Sequence, residues 1–182
     1  MEPTTGKDEV SRTCDRTVPV EGTSPTSDRG GDARRREREV RVVVADDHDA
    51  LREYVCRFLT EAPGLEIVGQ AANGREAVTL TRDLMPDVVL MDVSMPHVDG
   101  IEATRQIVRD CPAVRVVAMS ATLDKRTVTG MLDAGASGWV SKTGLLNTLV
   151  DAIGTVFTGK RYVCAEVTSV LGNRGDAEES AR

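Results

Sequence analysis

The regular order of short apolar runs and helical segments from Val40 to Phe157 constrains the fold of this chain more than any other feature. Each run is followed by a segment with apolar residues at helical spacing. Turn and capping pairs, such as Asn73-Gly74, separate the segments. Strand and helix patterns that alternate in this way predict a parallel sheet with helices on both faces. The runs are VRVVVA (40–45), LEIVGQA (65–71), DVVLM (87–91), VRVVAM (114–119) and GWVS (138–141).

The predicted fold class is α/β. Right-handed crossovers in about 120 residues favour a flavodoxin-like, doubly wound (βα)5 domain with a five-stranded parallel sheet in the order 2-1-3-4-5. We therefore expect one domain over residues 40–160. Residues 1–39 carry few apolar side chains, which predicts a disordered N-terminal leader, although an anionic partner for its arginines stays open. Residues 161–182 are predicted as a short, mostly disordered extension, with room for one helix from Ala165 to Leu171.

Composition excludes several classes of function. The net charge of −6 argues against a general binder of nucleic acid or of anionic membranes, since phosphates are held chiefly by Lys and Arg. The four cysteines form no C-x-x-C pair, which fits neither a zinc site nor a disulfide scaffold. No apolar run reaches the roughly 20 residues that cross a bilayer, and the N-terminus lacks a signal-peptide core. We expect a cytoplasmic protein without direct nucleic-acid or membrane partners.

Charged and hydroxyl side chains end four of the predicted strands. Asp46 and Asp47 follow the first strand, Asp92 the third, Ser120 the fourth and Lys142 the fifth. In an open α/β sheet, ligands bind beyond the carboxyl ends of the strands, near the point where the strand order reverses. Because strands 1, 3, 4 and 5 are neighbours in the predicted order, these five side chains should converge on one site.

The charges in this group predict a cation and a phosphoryl group. Three carboxylates beside one lysine leave excess negative charge, which favours a hard divalent cation on oxygen ligands, and Mg²⁺ is the natural candidate. The cation would also offset the repulsion between the adjacent Asp46 and Asp47. Asp92, on the central strand, is best placed to attack phosphorus and become an aspartyl phosphate. Mg²⁺ and Lys142 would neutralise the phosphoryl oxygens, and Ser120 would donate a hydrogen bond to one of them.

The arrangement resembles the receiver domain of bacterial two-component response regulators, over about Val40 to Tyr162. The segments DVSMPHVDGIEATRQI (92–107) and GASGWVSK (135–142) are most similar to the subfamily that usually carries a LuxR-type DNA-binding helix-turn-helix. This resemblance implies that Asp92 is the phosphoacceptor and that Asp46 and Asp47 bind the metal together with Asp92. It also implies that the backbone carbonyl of Ser94 is a further metal ligand.

The resemblance implies roles for further residues. Ser120 matches the switch hydroxyl, Lys142 the phosphoryl-binding lysine and Trp139 the aromatic rotamer switch. For Trp139, a half-buried aromatic on an edge strand is the open alternative. Ser94 and Thr122 flank the expected pocket, where we predict that they tune the rate at which water removes the phosphoryl group. The chain departs from the family pattern at Thr143, where proline is common, and at His97, where a small residue is common.

Two functions stay open from sequence. The first is a stand-alone receiver, not an enzyme, which takes a phosphoryl group from a sensor histidine kinase or phosphotransfer protein. It would signal through altered protein contacts, as a homodimer or heterodimer formed through helix 4, strand 5 and helix 5. The alternative is a DNA-binding transcription regulator truncated before its output domain, since only 40 residues follow Lys142. A metal-dependent phosphatase is disfavoured because its nucleophile would follow the first strand, whereas Asp92 follows the third.

Overall fold

The computed structural model describes residues 38–96 and 98–172. Within them, a parallel sheet has the strand order β2-β1-β3-β4-β5-β6. The strand order reverses between β1 and β3, and this switch point creates the crevice in which ligands of such sheets bind. The strands are β1 (Val40–Ala45), β2 (Leu65–Ala71), β3 (Val88–Asp92), β4 (Arg115–Ser120), β5 (Gly138–Ser141) and β6 (Tyr162–Val163).

Helices follow the strands along the chain. Asn73, Asp99 and Asp124 cap three of them, because each side chain accepts a hydrogen bond from the backbone N–H three residues later. None of the helices in the described part of the chain is long and apolar enough to cross a membrane. The helices are α1 (Asp49–Glu61), α2 (Gly74–Leu84), α3 (Gly100–Asp110), α4 (Lys125–Asp133), α5 (Leu145–Phe157) and α6 (Ala165–Gly172).

The sheet separates two apolar layers. Val42 and Leu90 face one layer, which α1 and α5 complete. Val43 and Met91 face the other, which α2, α3, α4 and α6 complete. Because the central strands are buried on both faces, their sequences are continuous apolar runs rather than alternating ones.

The predicted fold class and strand order are confirmed for the first five strands, but the predicted strand number is wrong. A sixth strand pairs with β5, with backbone N–H···O distances of 3.1 Å from Tyr162 to Ser137 and 3.4 Å from Cys164 to Trp139. A two-residue strand has no periodic pattern that sequence analysis can detect. Within the predicted extension, residues 162–163 form this strand and Ala165–Gly172 form a helix, at the place where the sequence left room for one, whereas residues 173–182 lie outside the described part.

Residues 1–37 of the predicted leader lie outside the described part, so the extent of the leader stays a prediction. Arg38, near the end of that leader, contacts the domain. Its guanidinium donates two hydrogen bonds to the Asp87 carboxylate, at 2.7 and 2.6 Å, and lies 5.7 Å from the centre of the Phe157 ring. This bidentate pair holds Arg38 against the amino-terminal edge of the sheet.

Candidate functional site

Three carboxylates meet where β1 and β3 end. Asp46 and Asp47 directly follow β1, and Asp92 is the last residue of β3. One oxygen of each carboxylate lies within 4.8 Å of one oxygen of both others. Asp46 and Asp92 are buried, with 0% and 3% of their surface exposed, while Asp47 is exposed. The group is therefore a charged pocket with one side open to solvent.

Lys142 supplies positive charge to this pocket. Its Nζ lies 2.8 Å from Oδ2 of Asp46 and 2.9 Å from Oδ2 of Asp92. The backbone N–H of Lys142 donates to the Ser120 carbonyl at 2.8 Å, which continues the β4–β5 pairing by one residue and directs the side chain to the pocket. Burial alone lowers the pKa of Lys142, but the hydrogen bonds and charges of the two carboxylates outweigh burial and raise it. Lys142 is therefore a cation at neutral pH.

The two buried carboxylates are held by their own turns. Asp46 Oδ1 accepts from the backbone N–H of His48 at 2.9 Å, and Asp92 Oδ1 accepts from that of Ser94 at 3.2 Å. Each bond spans two residues, as in the local turns that Asp favours. Since each Oδ1 is held in this way, each Oδ2 lies against Lys142.

Gly100 determines how closely α3 approaches the end of β3. Its backbone N–H donates to the Val93 carbonyl at 3.1 Å. A Cβ at this position would lie 2.2 Å from the backbone oxygen of Asp92, closer than any real contact. Only glycine therefore lets the first turn of α3 pack against the backbone that carries Asp92.

The hydroxyl of Ser120 is engaged with the loop that follows β4. Ser120 Oγ donates to the Thr122 carbonyl at 2.8 Å and accepts from the Thr122 N–H at 3.1 Å. Ser120 is 1% exposed, and Thr122 is exposed. The predicted switch hydroxyl thus ends β4 as expected, but its hydrogen bonds in this structure go to Thr122 and not to the carboxylates.

Trp139 is fully buried, with 0% of its surface exposed. It lies on β5, which pairs with β4 on one side and β6 on the other. The alternative of a half-buried aromatic on an edge strand is therefore wrong. The predicted rotamer switch stays a prediction.

Arg52 is a residue of the site that sequence analysis missed. Its guanidinium donates to the Asp46 carbonyl at 2.6 Å and to Oδ1 of Asp49 at 2.6 Å, and its side chain is 14% exposed. An arginine in a helical pattern looks like a surface residue, because its contact with Asp46 depends on how α1 leaves the strand. The available signal was its place in the first turn of α1, just after the acidic pair. Arg52 brings a second positive charge close to the acidic pocket.

The donor set fits a hard divalent cation. The close group contains three carboxylates and no imidazole or thiolate, and oxygen ligands are those that Mg²⁺ prefers. His48 is exposed and belongs to the turn rather than to the group. Asp46, Asp47 and Asp92 are the residues that could hold the ion. The Ser94 carbonyl remains a predicted ligand.

Comparison with known proteins identifies the family. The sequence model described as the response regulator receiver domain matches residues 42–154, which include the three carboxylates, Ser120 and Lys142. This chain belongs to the response regulator receiver family. Receiver domains of this family are signalling modules of two-component systems.

Curated relatives of this receiver are response regulators. Response regulator GacA of Pseudomonas protegens is 43% identical over 132 residues, which cover 72% of this chain and 62% of GacA. Transcriptional regulatory protein DegU of Brevibacillus brevis is 39% identical over 135 residues, covering 74% of this chain and 57% of DegU. The receiver chain therefore spans about three fifths of the length of these relatives.

Solved receivers share the fold. A LuxR-family two-component response regulator from Aurantimonas is 33% identical with a TM-score of 0.71, over 75% of this chain and 98% of that one. The receiver domain of the putative regulator NarL from Mycobacterium tuberculosis is 34% identical with a TM-score of 0.58, over 64% and 98% of the two chains. These similarities confirm the predicted resemblance to the LuxR-type subfamily.

Proposed function

We propose that this receiver accepts a phosphoryl group on Asp92, with Mg²⁺, from a sensor histidine kinase or a phosphotransfer protein. The proposal depends on one observation: Oδ2 of Asp92 lies 2.9 Å from Lys142 Nζ, in a carboxylate group that also contains Asp46 and Asp47. Asp92 lies between the acidic pair of β1 and Ser120 of β4, since β3 is the strand between β1 and β4. A phosphoryl group on Asp92 is therefore within reach of residues from both neighbouring strands, whereas one on Asp46 would be a strand further from Ser120.

The residues of the site have complementary roles in this transfer. An oxygen of Asp92 forms a bond to phosphorus while the bond between phosphorus and the donor breaks, and the electron pair of that bond leaves with the donor. The Lys142 ammonium neutralises the phosphoryl oxygens, and the Ser120 hydroxyl exchanges the Thr122 carbonyl for a phosphoryl oxygen.

The metal contributes charge to the same step. When bound, Mg²⁺ would supply positive charge for the phosphoryl oxygens, with Asp46, Asp47, Asp92 and the Ser94 carbonyl as the residues that would hold it. Arg52 keeps the backbone of Asp46 in place, because it donates to the Asp46 carbonyl at 2.6 Å. Because the kinase that donates the phosphoryl group takes it from ATP, we assign the transfer to the cytoplasm.

The output is a change in protein contacts rather than catalysis. Phosphorylation adds about −1.5 to −2 charges, by analogy with other phosphorylated side chains. Ser120 and Lys142 lie at the carboxyl ends of β4 and β5, so their movement toward the phosphoryl group alters the surface of α4, β5 and α5. Ser94 and Thr122 are both exposed beside the pocket, where they would set how quickly water removes the phosphoryl group.

A DNA-binding transcription regulator is the second candidate, as part of a longer protein. The name of DegU, a transcriptional regulatory protein, and the LuxR family of the Aurantimonas structure favour it. A gel shift with the full-length gene product would test it. Retarded DNA would support this candidate, and unretarded DNA would contradict it.

Intact-mass analysis tests the proposed transfer. The protein is incubated with acetyl phosphate, with Mg²⁺ or with EDTA, and compared with Asp92→Asn. Asp83→Asn is the matched control, because Asp83 is an exposed carboxylate on α2, away from the pocket. We expect a gain of one phosphoryl group in the unaltered protein and in Asp83→Asn with Mg²⁺, and no gain in Asp92→Asn. The same gain in Asp92→Asn would refute the proposal.

A further inference from the structure

Residues 162–172, here called the C-terminal cover, close the edge of the sheet beside β5. Tyr162 pairs with Gly138 and Val163 with Trp139 in parallel register. The cover continues into α6, which lies in the same apolar layer as α4. The predicted partner surface of α4, β5 and α5 is therefore partly occupied by the chain itself.

The cover buries apolar side chains together with the domain. Val167 of α6 is 0% exposed and Cys164 is 9% exposed. Both belong to the apolar cluster that contains Val128 and Met131 of α4, and Trp139 of β5. The cover is thus packed on the face of β5 that carries Trp139.

The attachment of the cover is weak in several respects. Its strand has two residues, and the backbone hydrogen bond that follows this strand, from Cys164 N–H to the Trp139 carbonyl, is long at 3.4 Å. Helix α6 has eight residues, which is too short to be stable without packing. A groove of about 230 Å³ remains at the junction of α4 and the cover, lined by residues that include Leu132, Arg161 and Leu171.

A buried donor adds a further cost to the docked arrangement. Trp139 Nε1 is buried and has no hydrogen-bond partner within the described residues. A buried N–H without a hydrogen-bond acceptor has lost its hydration, and it regains that hydration when it is exposed to water. A state that opens this apolar layer to water lets the N–H regain that hydration, which brings the closed and open states of the layer closer in free energy.

Strand β5 connects the cover with the phosphoacceptor site. The cover pairs with Gly138 and Trp139 at the start of this strand. Three residues after Trp139, the backbone N–H of Lys142 bonds the Ser120 carbonyl, and its ammonium contacts Asp92. A phosphoryl group on Asp92 shifts Lys142 from the carboxylate to the phosphoryl oxygens and draws Ser120 toward them, and it therefore moves the strand on which the cover is docked.

We propose that the C-terminal cover is a detachable segment of this chain that occupies the docking surface of α4 and β5, and that phosphorylation of Asp92 weakens its attachment. This inference rests on the proposed function. A protein that binds this surface competes with the cover, so partner binding is restrained until the phosphoryl group is present. Because coupling of two equilibria is reciprocal, loss of the cover also strengthens the binding of a phosphoryl group or its mimic.

Two variants of the full chain separate the effect of undocking the cover from the general effect of an added negative charge. Val167→Asp places a carboxylate at a buried position of α6, and Thr168→Asp places the same group at the next, exposed position.

Hydrogen exchange of residues 162–172 reports on docking of the cover. The single tryptophan of the chain, Trp139, reports on its own exposure by fluorescence. Beryllofluoride with Mg²⁺ is the phosphoryl mimic, and its dissociation constant is measured at equilibrium.

The expected results differ between the two variants. In Val167→Asp, the cover exchanges rapidly, the emission of Trp139 shifts to longer wavelength, and beryllofluoride binds at least about fivefold more tightly. Thr168→Asp behaves like the unaltered protein. In the unaltered protein, saturating beryllofluoride accelerates exchange in the cover, and this measurement decides the question even if Val167→Asp fails to fold.

Two outcomes would overturn the inference, and they are distinguishable from failure of the proposed function. Exchange in the cover that stays unchanged when beryllofluoride is bound would refute the coupling. Equal dissociation constants for Val167→Asp and Thr168→Asp, both folded, would refute it as well. In both cases Asp92 still gains a phosphoryl group from acetyl phosphate, whereas failure of the proposed function means that the unaltered protein neither gains mass nor binds beryllofluoride.

Discussion

Removal of the positive charge at Lys142 is expected to destabilise the domain when no divalent cation is present. Lys142→Met keeps the aliphatic part of the side chain but leaves the three carboxylates without their ammonium. Lys160→Met is the matched control, since Lys160 is an exposed lysine away from the pocket. The comparison isolates the role of charge balance in the site.

The magnitude follows from the two ion-pair distances. Charges 2.8 and 2.9 Å apart attract by about 6 kcal/mol each at an effective dielectric of about 20, so the two pairs together contribute about 12 kcal/mol of gross attraction. The cost of burying the ammonium, whose side chain is 16% exposed, offsets much of this. Breaking a buried pair by removing one partner typically costs about 3–5 kcal/mol, which is the loss we expect for Lys142→Met in EDTA.

Urea unfolding followed by circular dichroism measures this loss. In EDTA, Lys142→Met should unfold at a lower urea concentration than the unaltered protein, while Lys160→Met should differ by less than about 0.5 kcal/mol. Added Mg²⁺ should stabilise Lys142→Met more than the unaltered protein, because the competing ammonium is absent. Equal stability of Lys142→Met and Lys160→Met in EDTA would refute the charge-balance argument.

Three further predictions concern packing, the domain boundary and a thiol. Gly100→Ala should lower the free energy of unfolding by about 1–3 kcal/mol in urea and slow phosphorylation by acetyl phosphate, because its Cβ meets the backbone at the end of β3. Gly154→Ala, in open space on α5, should instead stabilise by about 0.5–1 kcal/mol. Arg38→Ala should cost about 1 kcal/mol in urea unfolding, since it removes a partly exposed bidentate pair with Asp87. Burial raises the pKa of Cys56 to about 11, so iodoacetamide should modify it at pH 8.5 roughly a hundredfold more slowly than a free thiol, as peptide mapping would show.

Each of these predictions has a contradicting result. A Gly100→Ala protein as stable as Gly154→Ala would show that the close approach of α3 is not needed. An Arg38→Ala protein of unchanged stability would show that the domain does not depend on this residue. The alkylation rate of Cys56 should rise about tenfold per pH unit through pH 9 and level off only near pH 11, because the raised pKa keeps the thiol protonated. A plateau already at pH 9 would contradict the burial argument.

Sequence analysis predicted the part of the fold that long periodic patterns determine. The runs around Val42, Val89 and Val117 identify strands buried on both faces, and the strand order follows from right-handed crossovers. Strand β6 escaped prediction because two residues such as Tyr162 and Val163 form a strand only through pairing with β5. The ion pair of Arg38 with Asp87 escaped prediction for a similar reason, since the two residues lie far apart in sequence and their contact has no local signal.

The site could be predicted as far as the strand ends determine it. Asp46, Asp92 and Lys142 meet as expected, because neighbouring parallel strands bring their carboxyl ends to one edge. The hydrogen bonds of Ser120 with Thr122 could not be predicted, since they depend on a hydroxyl rotamer and on the path of the following loop. The full burial of Trp139, in the apolar cluster that also contains Cys164 and Val167, likewise depends on tertiary packing that no local pattern shows.

The position of the phosphoryl group tests the central claim most directly. Sodium borohydride reduces an aspartyl phosphate to homoserine, so reduction after incubation with acetyl phosphate and Mg²⁺ marks the acceptor for peptide sequencing by mass spectrometry. The account predicts homoserine at position 92, with Asp46 and Asp47 unchanged. Homoserine at position 46 or 47, or no homoserine in a protein shown to be folded, would contradict it.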